Sequence, residues 1–579
     1  MMGTEPVEDA LGDLDEGFVG RSHLYEPVVH VFTHNGNALD LSPYCSALET
    51  DKRWAAGTWE ATVKARVIAR GATAGGLRTG AGSDWRESDD HVDWFEELGP
   101  GDWAMIGFRV DRHTYPVMIG PVTGVHRTRQ GLEGGEVWVI SGGDHGYCLE
   151  SHEIISLPQF KAPEGMDAVL ADGAFYKTIS RLTRVWEMYE GAATVPQAGT
   201  SFGLTPSDMI KPLTLFFLGH WRQTTDSGVP FMSGATPVWE TPPIFPVDKP
   251  PRLPEGWRGA PLGDLLTFNL EKTDGRAVIQ EAIAGLPQSS LWEYLRGWAN
   301  PSFNEFWCDL LPVGFGQFPM TPDDYRRPIE RLEAGAFPWD LAVNMRQKPF
   351  PSWAREDAKA LYGGDIRDAP SGVDLWRDLA STTFDERQLS GDTVMVSDEH
   401  RKNFFLCLPH QSYGASPYTI ALGAAGKGQL PVIAREGNRS ARTAGWRRQE
   451  EPSKYLPTDG FGVSTYYLWS RLLADWGARG HQHLGGTLTT KHLYPGVRVG
   501  ERVNVRRRNA HGTYNEFYYC EGVNLHWERG AEGADTAATS MTVTRGSKLV
   551  NDGLSKHPLG DDVGVDGIPL AWLPGERPI

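Results

Sequence analysis

Trp59-Glu60-Ala61-Thr62-Val63-Lys64-Ala65-Arg66-Val67 alternates without a break. Trp59, Ala61, Val63, Ala65 and Val67 project to one side; Glu60, Thr62, Lys64 and Arg66 project to the other. Successive side chains of a strand point to opposite faces, so the pattern marks an antiparallel strand with one buried and one wet face. Outward from it, residues 28–32 read as an earlier strand. After the turn Leu98-Gly99-Pro100-Gly101, residues 103–110 repeat the alternation with Ala104, Ile106, Phe108 and Val110 on one face. Residues 117–125 and 136–140 read as further strands. Residues 22–157 are therefore expected to form a compact antiparallel barrel or sandwich, with a long polar, Gly-rich loop inserted at 70–97.

The period then changes. Ile179, Leu182, Val185, Trp186 and Tyr189 recur at helical spacing and Gly191 closes that helix. Thr205-Pro206-Ser207-Asp208 has the form of a helix start. Ser290-Leu291-Trp292-Glu293 is a capping box, Leu291, Leu295 and Trp298 share a stripe, and Pro301 ends the helix. With a Pro-rich connector at 235–263, residues 158–385 read as an α+β middle domain. Strand signals return at 393–396 and 404–408. A helix carrying Leu468, Leu472, Leu473 and Trp476 follows, then strands at 497–505, 517–525 and 541–544. Residues 386–546 thus read as a second β-barrel region. Residues 1–21 are an acidic segment, and residues 547–579, rich in Gly, Pro and Asp, read as an extended tail. The expected fold class is mainly β and multidomain: two similar antiparallel β-barrels flanking an α+β middle.

The 579 residues are enough for about three to five domains. The chain holds 21 Trp, 67 Gly and 40 Pro, which suits a loop-rich β protein with sticky, Trp-bearing surface. A formal charge of -18 repels a phosphate backbone and argues against specific nucleic-acid binding. Cys45, Cys148, Cys308, Cys407 and Cys520 are odd in number and far apart, which fits reduced, buried thiols rather than a disulfide framework or zinc site. The acidic N-terminus lacks the basic and apolar regions of a signal peptide, and no apolar run is long enough for a membrane helix, so cytoplasmic synthesis without membrane insertion is expected.

Two segments some 400 positions apart follow one plan. The first runs from Leu98-Gly99-Pro100-Gly101 through two strands to Gly124-Val125-His126, then a Gly/Glu-rich loop, a strand, and Ser141-Gly142-Gly143-Asp144. The second runs from Leu493-Tyr494-Pro495-Gly496 through two strands to Gly522-Val523-Asn524-Leu525-His526, then a similar loop, a strand, and Thr544-Arg545-Gly546. Turn grammar recurs in β proteins, so the echo alone leaves duplication and coincidence both open.

Of the catalytic signatures, the P-loop, HExxH and EF-hand loop are missing. His481, His483 and His492 cluster without a carboxylate or Cys at ligand spacing, and a surface role fits them better than a metal. Asp144-His145 fits a turn carboxylate capping backbone N–H groups better than half of an acid–base pair. Glu305 and Asp309, four apart beside Trp307, would share a face of a helix and are the one carboxylate pair a glycosidase could use. Arg435, Arg439, Arg442, Arg447 and Arg448 are interleaved with glutamates and suit a protein contact better than a phosphate site.

Several stretches, in order, resemble the tail hub (baseplate hub) proteins of tailed bacteriophages and contractile injection systems. Pro100-Gly101-Asp102 with its following strand, and residues 136–144 ending in Gly143-Asp144, are similar to the start and exit of that family's first barrel. Asn300-Pro301-Ser302-Phe303-Asn304-Glu305-Phe306-Trp307-Cys308-Asp309 is the most specific match, followed by Arg346-Gln347-Lys348-Pro349-Phe350. Pro495-Gly496, Glu521-Gly522-Val523 and Arg545-Gly546 resemble the closing barrel. The resemblance implies a structural, non-enzymatic protein with no cofactor and no metal. It implies a homotrimeric ring of pseudo-sixfold symmetry that links a hexameric tail tube to a trimeric spike or tip and lets DNA pass. The implied partners are the tail tube protein, distal tail or baseplate proteins, the spike or tip protein and the tape-measure protein. The implied location is the tail tip of a virion. The alternative on the residues alone is a multidomain carbohydrate-active enzyme, or a tail component that binds or degrades cell wall.

Overall fold

The computed structural model describes residues 24–33, 38–64, 93–110, 113–129, 136–153, 262–270, 289–312, 339–349, 379–409, 445–453, 483–509, 512–530 and 535–550, with short pieces elsewhere. The acidic N-terminal segment, the helix expected around Ile179–Tyr189, most of the Pro-rich connector, Arg435, Arg439, Arg442 and Phe350 lie outside the described residues.

The protein is mostly strand. A 13-stranded sheet dominates. Its first part is β1 (Tyr25–Phe32), β2 (Ala38–Asp40), β3 (Cys45–Arg53), β4 (Thr58–Lys64), β5 (Trp103–Val110), β6 (His113–Arg129) and β7 (Glu136–Gly143). Helix α1 (His145–Ser151) follows directly. Strand β8 (Leu266–Leu270), the two-residue β9 (Arg276–Ala277), helix α2 (Leu291–Trp298), β10 (Asn304–Pro312) and β11 (Trp339–Gln347) lie in the middle, with a helical turn at Leu262–Leu265 leading into β8. Then come β12 (Ser381–Asp385), β13 (Leu389–Met395), β14 (Phe404–Pro409), β15 (Val432–Ile433), β16 (Arg448–Ser453), β17 (Tyr455–Leu456), β18 (Leu484–Thr490), β19 (Arg502–Asn509), β20 (Gly512–Glu528) and β21 (Thr536–Val550). The large sheet runs β13-β18-β21-β20-β3-β4-β7-β6-β5-β1-β2, with β19 and β12 branching from β20. Strands β10, β11 and β8 form a separate three-stranded sheet.

The strand read at 59–67 is β4, and its described part ends at Lys64. Trp59, Ala61 and Val63 are buried while Glu60 and Lys64 are exposed, as the alternation dictates. Strand β6 is longer than its apolar pattern suggested, and β21 runs to Val550, inside the stretch read as tail. The 497–501 part of the strand expected at 497–505 is instead irregular chain with a turn at 499–500, and β19 starts at Arg502.

The early and late parts of the sheet are joined edge to edge. Strand β20 pairs with β3, Trp527 opposite Leu48 and Asn524 opposite Asp51. One hydrophobic core therefore spans both: Val29, Trp59, Phe108 and Ile140 belong to the same cluster as Val503, Tyr518, Leu525 and Val543. The described tryptophans fill that interior and the middle sheet. Trp59, Trp94, Trp103, Trp138, Trp292, Trp298, Trp307 and Trp527 are all buried, so these eight pack the interior rather than forming sticky surface; Trp446 is exposed. A large ring brings more apolar area to a core than any other side chain.

The sequence echo has a backbone counterpart. Strands β5-β6-β7 and β19-β20-β21 are each an antiparallel meander, and β6 and β20 are both 17 residues long. Gly101 (φ 95) and Gly500 (φ 88) both adopt the left-handed conformation that glycine tolerates. Gly101 N donates to Val122 O at 2.9 Å and Val122 N to Asp102 O at 2.6 Å. Gly500 N donates to Cys520 O at 2.8 Å and Cys520 N to Glu501 O at 2.9 Å. A bulge follows each contact, between Val122 and Gly124 and between Cys520 and Gly522. The structural partner of Gly101 is thus Gly500, four residues beyond Gly496.

Candidate functional site

The Asn-Pro-x-Phe-Asn run is a device for leaving a helix. Ser290 Oγ accepts from Glu293 N at 3.3 Å and starts α2. The helix ends at Trp298, and Asn300 takes a left-handed φ of 56, a conformation Asn tolerates better than most residues. Pro301 cannot continue a helix. Asn304 Nδ2 then donates to Ala299 O at 2.8 Å, and its backbone N to Asn300 O at 3.0 Å, folding the chain straight into β10. The segment carrying Glu305 and Asp309 is therefore a strand, not a helix. Its run Phe306-Trp307-Cys308 and Leu310-Leu311 is apolar on both faces, as a strand covered on both sides requires.

Glu305 is the centre of a buried charge network. Its Oε2 lies 3.2 Å from Arg346 Nε and accepts from Tyr519 OH; its Oε1 lies 3.1 Å from Arg545 Nη1. Arg346 Nη2 also donates to Gly500 O at 2.5 Å and to Tyr519 OH at 3.0 Å. Arg545, in a left-handed conformation (φ 52), donates to Pro349 O at 2.7 Å, and its Nη2 lies 3.8 Å from Glu521 Oε1. Rings close the network. Arg545 lies 4.2 Å from the Tyr519 ring centroid and Arg346 4.9 Å from that of Trp307, while Trp54 stacks on Tyr519 at 5.9 Å and meets Trp307 edge-on at 5.4 Å. Burial, and then the Glu305 charge, push the Tyr519 hydroxyl well above its ordinary pKa, so it stays a donor. For Arg545, burial alone would disfavour the cation, but Glu305, Tyr519 and Glu521 outweigh it and the net shift is upward.

A second cluster lies further along β10. Asp309 Oδ2 is 3.4 Å from Arg498 Nη1, and Arg498 also donates to Leu310 O. Asp144 caps α1 by accepting from Gly146 N at 2.8 Å and forms a buried ion pair with Lys52. Burial opposes the Lys52 charge, but Asp144 and Asp309 raise its pKa overall. Next to it, His145 reaches β11 through Nε2 and Ala342 O at 3.0 Å, and burial holds its pKa below the ordinary value.

Residues that the sequence reading singled out from three distant stretches thus meet. Asn304, Glu305, Arg346, Pro349, Glu521 and Arg545 form or border the first cluster; Asp144 and Asp309 belong to the second. Asp102 caps its own turn by accepting from Gly99 N at 2.8 Å, apart from both. Pro301, Pro100 and Gly496 are exposed turn positions, Pro495 is half-buried, and Gly143, Gly522, Val523 and Gly546 are buried backbone positions. Lys52, Trp54, Arg498, Gly500 and Tyr519 were not singled out as site residues. Lys52 had a signal: it falls on the same face of β3 as Leu48 and Thr50, where an inward charge demands a partner.

Chemically the clusters are ion pairs and hydrogen bonds between buried side chains. Glu305 and Asp309, the carboxylates the glycosidase alternative would need, are buried and engaged by arginines. Cys45, Cys308, Cys407 and Cys520 are buried free thiols, and burial pushes Cys45 up to about 12. Among the described residues no group of three or more His, Cys, Asp or Glu could hold a metal, and no helix is long and apolar enough to cross a membrane.

No protein-family model and no curated protein matches the chain. Solved structures do, among them two tail proteins and a component of a type VI secretion system. The tail protein from Neisseria meningitidis MC58 is 13% identical, with 90% of this chain and 96% of that chain covered at a TM-score of 0.39. The 43 kDa tail protein of prophage MuSo2 from Shewanella oneidensis is 9% identical, covering 90% and 98% at 0.36. The E. coli c3393 protein, a component of the type VI secretion system, is 8% identical, covering 90% and 76% at 0.29.

Proposed function

We propose that this protein is a structural tail hub. Three copies would form a ring that joins a hexameric tail tube to a trimeric spike or tip, next to distal tail or baseplate proteins and the tape-measure protein. The observation that carries this reading is the doubled meander: two units of one plan, with matching Gly101 and Gly500 turns, set in one continuous sheet. Two such units in each of three chains present six similar faces to a sixfold tube while the ring keeps threefold symmetry for the tip. The buried network at Glu305 ties the middle sheet rigidly to the second meander, which suits a part that bears load and breaks no bonds. The net charge of -18 supports a lumen through which DNA passes without sticking. The ordered motif resemblance supports the same reading, and with it residence in the virion tail.

The test is the mass of the purified chain in solution, alone and with tube protein. A trimer, or assembly onto tube ends, is the expected result. A stable monomer indifferent to the tube overturns the proposal.

A further inference from the structure

A cleft of about 460 Å3 opens beside the Glu305 network, lined by Lys348, Lys402, Arg448 and Arg545 against the carboxylates of Glu450 and Glu451. Its size is that of a small-molecule site. The two carboxylates are already engaged. Glu450 Oε2 lies 3.0 Å from Arg448 Nη2, and Glu451 accepts from Ser302 Oγ at 2.7 Å and Gln449 Nε2 at 3.1 Å. Arg545 is held by Glu305. Lys348 and Lys402 are left with no carboxylate in ion-pair range among the described residues. Lys348 is mostly enclosed. Burial and then the Arg545 charge bring its ammonium down to about 8, against the opposing pull of Glu305, Glu451 and Glu521, while His400 faces the same cleft. An enclosed cation without a counter-charge is unfavourable, and an anion drawn in beside it removes that cost.

We infer that this cleft binds a small polyanion bearing carboxylate or phosphate groups, with Lys348 and Lys402 as its anchoring cations. Both chemistries offer the clustered oxygens that several N–H donors converge on. The inference goes beyond the assembly role and does not rest on it. With the Lys348 ammonium brought down to about 8, an anion bound beside it should draw a fraction of a proton onto its Nζ at that pH.

The experiment is calorimetric titration of the full chain with citrate and, separately, with tripolyphosphate, at about pH 8 in two buffers of different ionisation enthalpy. Saturable binding with fractional proton uptake is expected, weakening with added salt. Tighter binding of citrate assigns the carboxylate class, and tighter binding of tripolyphosphate the phosphate class. Lys348→Gln should weaken binding about tenfold and abolish the proton uptake; Lys402→Gln should weaken it by a similar factor and keep the uptake. If Lys348→Gln does not fold, the Lys402→Gln loss still supports the site. Failure of both anions to bind, or affinity unchanged in Lys402→Gln, overturns it.

Discussion

Arg346 stands directly opposite Glu305 on the paired strands β11 and β10, its Nε 3.2 Å from the carboxylate, with both side chains 4% exposed. Arg545 approaches the same carboxylate from β21, 240 positions away in sequence, so one buried anion holds two cations from different parts of the fold. Removing one partner of a buried pair leaves the other charge desolvated and unpaired, at a cost of about 3–5 kcal/mol. Glu305→Gln leaves two such cations under-compensated and should lower the unfolding free energy by at least the bottom of that range. Denaturant unfolding followed by tryptophan fluorescence measures it, with Trp307 and Trp54 as reporters inside the network. A loss below about 1 kcal/mol would mean that water, not Glu305, satisfies the arginines.

Glu501 should make the protein less stable as pH rises. Its carboxyl is buried, and burial followed by the nearby Asp309 charge raises its pKa well above the ordinary 4.5. One of its oxygens has no hydrogen-bond partner among the described residues. Below about 4.5 both folded and unfolded states hold the proton. Above that value the unfolded chain releases it while the folded chain keeps it, so stability drains away as pH climbs toward the folded-state value. Glu501→Gln keeps the shape and removes the titration. It should melt higher than the parent at pH 7 and converge with it at pH 4. Parallel thermal melts across that range decide the matter, and a parent that gains stability from pH 4 to 7 relative to the variant would contradict it.

The echo between the two meanders supplies its own control. Gly101 and Gly500 share a left-handed backbone, so an alanine at either should cost about 1–2 kcal/mol from conformation alone. Their surroundings differ. A Cβ on Gly101 meets open space, whereas one on Gly500 would come within 2.9 Å of Arg346 Nη2 and 3.3 Å of Trp54. Gly500→Ala should therefore cost clearly more than Gly101→Ala, and the excess should shrink in an Arg346→Met background, which leaves only the Trp54 contact. Equal losses in the parent background would show that the Arg346 side chain gives way freely.

How far the sequence could be read follows from what each feature depends on. Strand β4, the Ser290 start of α2 and its end before Pro301 depend on neighbours within a few residues, and they are legible as alternation, a capping box and a helix-stopping proline. The buried strand β10 was not, because a short apolar run covered on both faces has no period to read. The union of Glu305, Arg346, Tyr519 and Arg545 was not legible either, since four polar residues spread over 240 positions acquire a common environment through chain topology alone. That Glu305, Arg346 and Arg545 fall in one ordered set of motifs was visible; the reason they belong together, and the part Tyr519 plays, was not.

Asp144 does two jobs at the exit of the first meander, and they should separate by mutation. It caps α1 at Gly146 N and neutralises the buried Lys52. Lys52→Met removes the ion pair but leaves the cap, stranding a carboxylate that is 1% exposed. Asp144→Asn keeps a capping oxygen but strands the ammonium. Asp144→Ala loses both, adding about 1 kcal/mol for the lost cap to the cost of an unpaired lysine. The double change Lys52→Met with Asp144→Asn buries no charge and keeps a cap, so it should recover much of what either single change loses. A double-mutant cycle on unfolding free energies measures the coupling. A double variant as unstable as the sum of the singles would mean that the two side chains act independently, with the pair contributing nothing to the way α1 is seated against the sheet.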